Sequence, residues 1–213
     1  MAKVRHHNLD LILGTICLGY WLLNLLDALV NHRPSWLLWY SSAGLFTTGI
    51  ALLTENTLLI YSAFCALFAM EGLWTIDFLY AILVKKSLLG FTAYAFAPSF
   101  GRKDFFMTLY HILIPISLLT AILNNPKANK YGWLGAIVFV SILVFLTYFL
   151  VGPNDRVNCI HSLSSCQSVF TFLYKIQNPY RIFVALLGLV IFVYVPSNYL
   201  VITLKKKQTK NKS

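Results

Sequence analysis

The amino-acid sequence predicts an all-α fold in which about six helices cross a membrane as one polytopic bundle. Of its 213 residues, 58% are hydrophobic and 11% are charged, whereas a soluble domain carries roughly 45–50% apolar and about 25% charged residues. The apolar residues fall in blocks of about 20, which is the length that an α-helix needs to cross a bilayer. Residues 133–146 are apolar on all sides and lack the alternation of barrel strands, so the blocks predict helices.

The first three predicted spans cover residues 9–30, 35–54 and 57–84. Short polar turns at residues 31–34 and 55–56 separate them. The third block is longer than one crossing requires, so we expect it to tilt or its last turns to leave the hydrocarbon.

The rest of the chain alternates further spans with two longer connections. Residues 87–104 hold an apolar stretch that is too short to span, which predicts an interfacial or re-entrant segment. Spans four, five and six follow at residues 105–123, 131–151 and 182–204. The longest polar loop, residues 154–181, separates the last two spans. Because the other connections are short, we expect sequential helices to be antiparallel neighbours.

A single transmembrane domain is thus predicted over residues 1–204, with a basic tail over 205–213. The net charge is +10, but the cations sit at helix ends and in the tail, so nucleic acid is excluded as a partner. The tail Lys205–Lys212 is expected to contact anionic lipid headgroups. The basic N-terminus predicts an uncleaved first span rather than a signal peptide.

Orientation follows from the distribution of Lys and Arg. Six spans place both termini on one side of the membrane, and the cations divide almost equally between the two sides. The dense basic tail therefore decides the prediction, and we expect both termini in the cytoplasm of a multi-pass cell membrane protein.

The four cysteines fall into two pairs with different expectations. Cys17 and Cys65 lie inside predicted spans and are expected to be small buried hydrophobes. Cys159 and Cys166 share the long polar loop, on the side where a disulfide is permitted. A disulfide between them and two free thiols both remain open.

A polar stripe marks the first span. Tyr20, Asn24, Asp27 and Asn31 recur at helical spacing and share one face. Because polar groups that face lipid are costly, the stripe is predicted to face the bundle interior. It forms either an interhelical hydrogen-bond seam or one wall of a polar cavity, and Asp27 is its strongest candidate for a functional residue.

Two carboxylates lie in the third span. Glu71 is near its centre, and Asp77 is nearer its end. Six residues correspond to about −120° on a helix, so the two do not share a face, and Trp74 lies between them. They either flank one cavity or make separate structural contacts. A buried Glu71 is expected to be paired or neutral.

His111 precedes Pro115 by four residues in the fourth span. The proline has no N–H for the carbonyl of His111, so a kink is expected where the imidazole lies. The histidine is therefore expected to point inward, either towards a functional site or into a contact with a neighbouring helix, within reach of a polar group from span one or span three. Pro196 frees the carbonyl of Phe192 in the same way, which predicts a structural bend in span six.

Sequence motifs do not supply a reaction. HExxH, GxSxG, a Walker loop and a helix-opening GxGxxG are all missing from the sequence. The sequence predicts neither a metal site nor a cofactor, although Asp27, Glu71, Asp77 and His111 have suitable ligand chemistry. Whether the protein is an enzyme stays open, and a non-enzymatic role is favoured.

Four short segments, taken in order, resemble an uncharacterised family of small bacterial multispan membrane proteins with the pattern GxTxYMF, FHxxLP, DPxxNINWVFG and PTH. The matching segments are residues 90–96, Tyr110-His111 with Pro115, residues 148–158, and Pro196-Ser197-Asn198. Ala95 replaces the family's methionine and Asn198 its histidine, which argues against a paired-histidine site. The resemblance implies a bacterial inner membrane and draws attention to His111.

Three functional hypotheses follow. The first is a protein that binds or transports a small or lipidic ligand in a polar cavity within the membrane. The second is a lipid-modifying enzyme that uses His111 as general base, and the third is a structural or assembly subunit of a membrane complex. The candidate cavity residues are Asn24, Asp27, Glu71, Trp74, Asp77 and His111.

Overall fold

A computed structural model of the chain describes residues 2–96, 101–125, 127–152, 157–159, 176 and 180–210. Within these ranges all regular structure is helical. The helices are α1 (Ala2–Val30), α2 (Tyr40–Leu53), α3 (Thr57–Val84), α4 (Arg102–Thr108), α5 (Tyr110–Asn124), α6 (Gly132–Leu150), α7 (Tyr180–Leu189) and α8 (Val195–Lys210).

Five helical runs among the described residues are long and apolar enough to cross a membrane. They are Asn8–Val30, Thr57–Val84, Lys103–Asn124, Gly132–Leu150 and Tyr180–Lys206. The predicted all-α transmembrane bundle is confirmed, and the predicted spans one, three, four, five and six correspond to these runs.

The predicted second span is the part that needs correction. Residues 35–54 do not form one long helix but a 3₁₀ helix, Pro34–Leu38, followed by the 14-residue α2. Extended backbone at Trp39, with ψ of 137°, separates the two. α2 alone is about 21 Å long, and the 3₁₀ turn adds about 10 Å. Together they are long enough to return the chain across the hydrocarbon.

α3 is the central helix of the bundle and packs against α2, α5, α6 and α8. Its first half is almost wholly buried, from Ile60 to Leu67. Two glycines of α6 allow a close approach, because a Cβ at Gly135 would collide with Ser62 and one at Gly132 with Tyr61. Small residues let transmembrane helices approach closely and gain packing energy without a hydrophobic driving force.

Side-chain contacts place several chain segments at one end of the bundle. Gly14 of α1 lies against Leu53, and Lys205 of α8 donates to the carbonyl of Leu123 at 3.0 Å. We call this the terminal end, formed by residues 54–56, 127–131 and 205–206. The opposite loop end carries residues 31–39 and 85–96.

The last span contains a π turn at Val190–Tyr194 between α7 and α8. Pro196 lies two residues after this turn, and its missing N–H leaves a helical carbonyl without a bond. The N–H of Val195 bonds the carbonyl of Val190, five residues back. The bend that Pro196 predicts is thus accommodated as one wide turn in a continuous helix.

Two of the sequence predictions fall outside the described residues. Cys166 lies there, and so does most of the long loop between spans five and six. The disulfide prediction for Cys159 and Cys166 therefore stays a prediction.

The tight α3–α6 contact can be tested with a matched pair of glycine substitutions. Gly135→Ala is expected to lower the thermal midpoint in detergent, because overpacking destabilises by about 1–3 kcal/mol. Gly188→Ala, where no atom lies within 4 Å of the added carbon, is expected to leave it unchanged or slightly raised. Equal midpoints for both variants would show that α3 and α6 do not approach as described.

Candidate functional site

α3 and α5 bring Glu71 and His111 together inside the bundle. His111 Nδ1 lies 2.6 Å from Glu71 Oε2, and the two side chains are 12% and 4% exposed, respectively. The expected contact between the histidine and a polar group of span three is therefore present. Each group supplies the partner that the other needs at this depth.

The pair lies deep in the membrane-spanning part of the fold. Glu71 is near the middle of α3, about 20 Å from either end at the rise of an α-helix. His111 stands in the first turn of α5, and the helical run that contains it begins further back, at Lys103. Both groups are thus removed from the ends of their helical runs.

Two aromatic rings stack on the imidazole of His111. The centroid of Trp74 is 4.1 Å away and that of Tyr110 is 4.5 Å away, with interplanar angles of 17° and 28°. Stacking and the bond to Glu71 together determine the orientation of the imidazole.

Thr75 satisfies the carbonyl that Pro115 leaves free. Its hydroxyl lies 3.1 Å from the carbonyl of His111 and 2.7 Å from the carbonyl of Glu71. The carbonyl of His111, which cannot bond an N–H of Pro115, is therefore bonded by a side chain of α3. Sequence reasoning missed Thr75, because a threonine inside a helix usually bonds only its own preceding turn.

Further hydroxyl groups surround the carboxylate. Tyr40, Tyr94 and Tyr110 all lie close enough to Glu71 to interact with it electrostatically. The hydroxyls of Ser41 and Tyr110 are 3.3 Å apart. None of these was a sequence candidate, because tyrosines are common in spans and their pattern carries no signal of its own.

The second imidazole nitrogen of His111, Nε2, takes part in no hydrogen bond within the described residues. A carboxylate beside Nδ1 accepts a hydrogen bond from the Nδ1–H, and Nε2 is then the ring nitrogen that can bond a further group or exchange a proton. The dyad is thus arranged to act on something that approaches Nε2.

Asp77 is not part of this group. Its oxygens accept hydrogen bonds from the N–H groups of Leu88, Leu89 and Thr92 at 2.7–2.9 Å. The hydroxyls of Ser87 and Thr92 add two more, at 2.7 and 2.8 Å. The carboxylate is fully buried and saturated, so its role is to hold the connection that follows α3.

That connection folds back beside the helix it leaves. Asp77 lies about 10 Å before the end of α3, so the bonded loop residues return to that depth. The predicted interfacial or re-entrant segment thus folds back against α3, and its depth in the membrane stays a prediction. The return also brings the 3₁₀ turn Ala93–Phe96 inward and places Tyr94 beside Trp74 and Thr108.

The stripe of α1 forms a separate polar group at the loop end. Asp27 pairs with Lys103 of α4, and its Oδ1 accepts from Asn31 Nδ2 at 2.9 Å. The Nδ2 of Asn24 is buried without a hydrogen bond to any described residue. Tyr20, Asn24 and Asp27 are partly buried, whereas Asn31 is exposed at the helix end. The stripe is a helix contact, and only its last member departs from the expected interior position.

Asn158, the last residue of the segment that resembles the family's DPxxNINWVFG pattern, was not among the predicted cavity residues. Its Oδ1 accepts from the N–H of Tyr40 at 2.8 Å, and its Nδ2 donates to the carbonyl of Leu38 at 2.6 Å. It therefore joins the end of the 3₁₀ turn to the start of α2. A loop asparagine carries no periodic signal, so only the folded chain reveals this role.

No three His, Cys, Asp or Glu side chains come together as a metal site in the part of the chain that the structure describes. Comparison with known proteins adds no assignment. No family model matches the chain, and no curated protein or solved structure is significantly similar to it.

The role of Asp77 can be tested by removing its carboxylate. Asp77→Ala leaves buried N–H groups of the loop that follows α3 without an acceptor, at about 1–3 kcal/mol for each group that water cannot reach. We expect a markedly lower thermal midpoint and rapid proteolysis within residues 87–96. Ile76→Ala removes the neighbouring, 59% exposed side chain and should change little. A protected loop in Asp77→Ala would contradict this role.

Proposed function

We propose that the protein binds a small or lipidic ligand inside the membrane through the Glu71–His111 dyad. The observation that carries the proposal is the carboxylate-paired imidazole deep in the bundle, whose Nε2 bonds none of the described residues. An ionisable side chain at this depth costs about 2.5–3.5 kcal/mol on insertion scales, and ionisable groups inside the membrane often mark functional sites.

The surroundings define the chemical class of the ligand. Trp74, Tyr94 and Tyr110 supply aromatic surface, which suits an apolar body. Nε2 can bond one polar group, such as a hydroxyl, a carbonyl or an amine. A molecule with one polar group on an apolar frame fits this set, and a lipid or lipid-like metabolite has that form. Transport of the ligand is the form of this function that we favour.

An enzymatic role is the second candidate, and one observation favours it. Glu71 bonds Nδ1 of His111, the arrangement in which a carboxylate orients an imidazole as general base. The reaction would then modify a lipid at the atom that reaches Nε2. Turnover of the bound molecule, as against its unchanged release, separates this role from transport.

We further propose that the protein lies in a bacterial inner membrane with both termini in the cytoplasm. The family resemblance and the basic tail support this placement. Lys205 bonds the end of α5 at Leu123, so contact with anionic headgroups begins at the exposed Lys206. The terminal end would then face the cytoplasm.

Native mass spectrometry of the purified protein tests the proposed binding. We expect the wild type to carry a molecule that His111→Gln lacks, because glutamine can still donate to Glu71 but has no imidazole Nε2. His32→Gln, a change in an exposed turn, should retain the molecule. If wild type and His111→Gln carry the same adducts at the same occupancy, the dyad is not a binding site. The thermal midpoint shows whether each variant is folded.

A further inference from the structure

Buried polar side chains continue from the dyad towards the terminal end. Tyr40 lies close enough to Glu71 to interact with it electrostatically. Its hydroxyl donates to the carbonyl of Ala66 on α3. Tyr194 lies beside Tyr40 and also close to Cys65. The polar groups therefore do not end at the dyad but extend along α3.

Two tyrosines of this group have buried hydroxyls with few partners. Tyr61 and Tyr194 are both 0% exposed. The Tyr61 hydroxyl finds no hydrogen-bond partner among the described residues, and the Tyr194 hydroxyl has only that of Tyr40 beside it there. A buried hydroxyl whose hydrogen-bonding capacity is not filled is destabilising. Buried polar groups of this kind usually bind internal water. We therefore expect internal water next to both hydroxyls.

The position of Tyr194 in the helix supports a functional role for this residue. It is the last residue of the π turn that precedes Pro196, and π turns in α-helices frequently occur at functional sites. The turn shifts the helix register so that Tyr194 and Asn198, one turn further on, are both buried. Both side chains lie near Cys65 of α3.

Asn198 connects this group to the terminal end. Its Oδ1 lies 3.7 Å from Cys65 Sγ, and its Nδ2 donates to the carbonyl of Lys130 at 3.1 Å. Lys130 lines an open cavity of about 510 Å³ at that end. Its other lining residues are Ala128, Asn129, Tyr131, Ile202 and Lys206. Asn198 thus lies between Tyr194 and a residue that lines the cavity.

We propose that these groups form a proton path between the dyad and the cavity at the terminal end. The path deepens the proposed function, on which it rests, because it gives the ligand-binding dyad a source of protons. Glu71, Tyr40 and Tyr194 carry the proton, with internal water at the hydroxyls of Tyr61 and Tyr194. Asn198 carries no proton itself and orients the water by hydrogen bonds. The ligand would then be bound or moved together with a proton.

The transfer needs no other reactant. A proton from cavity water passes to internal water, each hydroxyl or water accepts one proton and releases its own, and the last proton reaches Glu71 or His111. Only O–H and N–H bonds form and break, and one proton is moved. Cys65, Glu71 and His111 are the titratable groups along the path besides the tyrosines, and Lys130 and Lys206 stand at its mouth.

Proton flux into vesicles tests the path. The purified protein is reconstituted into liposomes that contain a pH-sensitive dye, and a potassium gradient with valinomycin drives protons inward. We expect wild-type vesicles to acidify faster than protein-free vesicles. Tyr194→Phe should be about tenfold slower, which corresponds to a barrier raised by about 1.4 kcal/mol. Tyr199→Phe, a tyrosine on the same helix that is 71% exposed, should match the wild type.

The two tyrosine variants also separate conduction from folding. Tyr194→Phe removes one hydroxyl whose partner among the described residues is Tyr40, and the ring stays in place, so its thermal midpoint should stay close to that of the wild type. Flux equal to that of protein-free vesicles, or an unchanged flux in Tyr194→Phe, would overturn the path. If the adduct that depends on His111 persists in either case, the proton path fails while the proposed binding function stands.

Discussion

The fold depends on a single constraint, which is that lipid offers no hydrogen-bond partners to polar groups. Every ionisable side chain inside the bundle must therefore find its partner within the protein, and Glu71 and His111 do so with each other. Their contact joins α3 to α5 near the middle of α3. Because α3 packs against most of the other helices, the position of this one contact also determines where the surrounding hydroxyls and aromatic rings lie.

The polar residues divide into groups that serve different ends of the molecule. Asp77 holds the loop that folds back beside α3, and Asp27 joins α1 to α4 through Lys103. Both carboxylates are therefore bonded to neighbouring protein groups. The dyad differs, because one imidazole nitrogen remains unused by the described residues. This difference, rather than burial alone, separates a candidate site from polar structural contacts.

Much of this could be predicted from the sequence, because lipid imposes strong rules on composition and length. Apolar blocks predict the helices, and the six-residue spacing already places Asp77 on a different face from Glu71. The pairing of Glu71 with His111 needed the fold, since forty residues separate them. The roles of Thr75 and Asn158 could not be predicted. Thr75 bonds a carbonyl that Pro115 leaves free, and Asn158 bonds the backbone at the start of α2 from a loop more than a hundred residues away in sequence. The split of the second span was also missed, since hydropathy does not distinguish a 3₁₀ turn from an α-helix.

The hydrogen bond between His111 Nδ1 and Glu71 is the central claim, and nitrogen NMR of ¹⁵N-histidine-labelled protein in detergent micelles tests it most directly. The resonances of His111 are assigned from those lost in a His111→Gln sample. The account predicts one strongly hydrogen-bonded Nδ1–H resonance that moves when Glu71 is replaced by Gln, together with an Nε2 resonance that lacks such a bond. Two equivalent ring nitrogens that are insensitive to Glu71→Gln would contradict it.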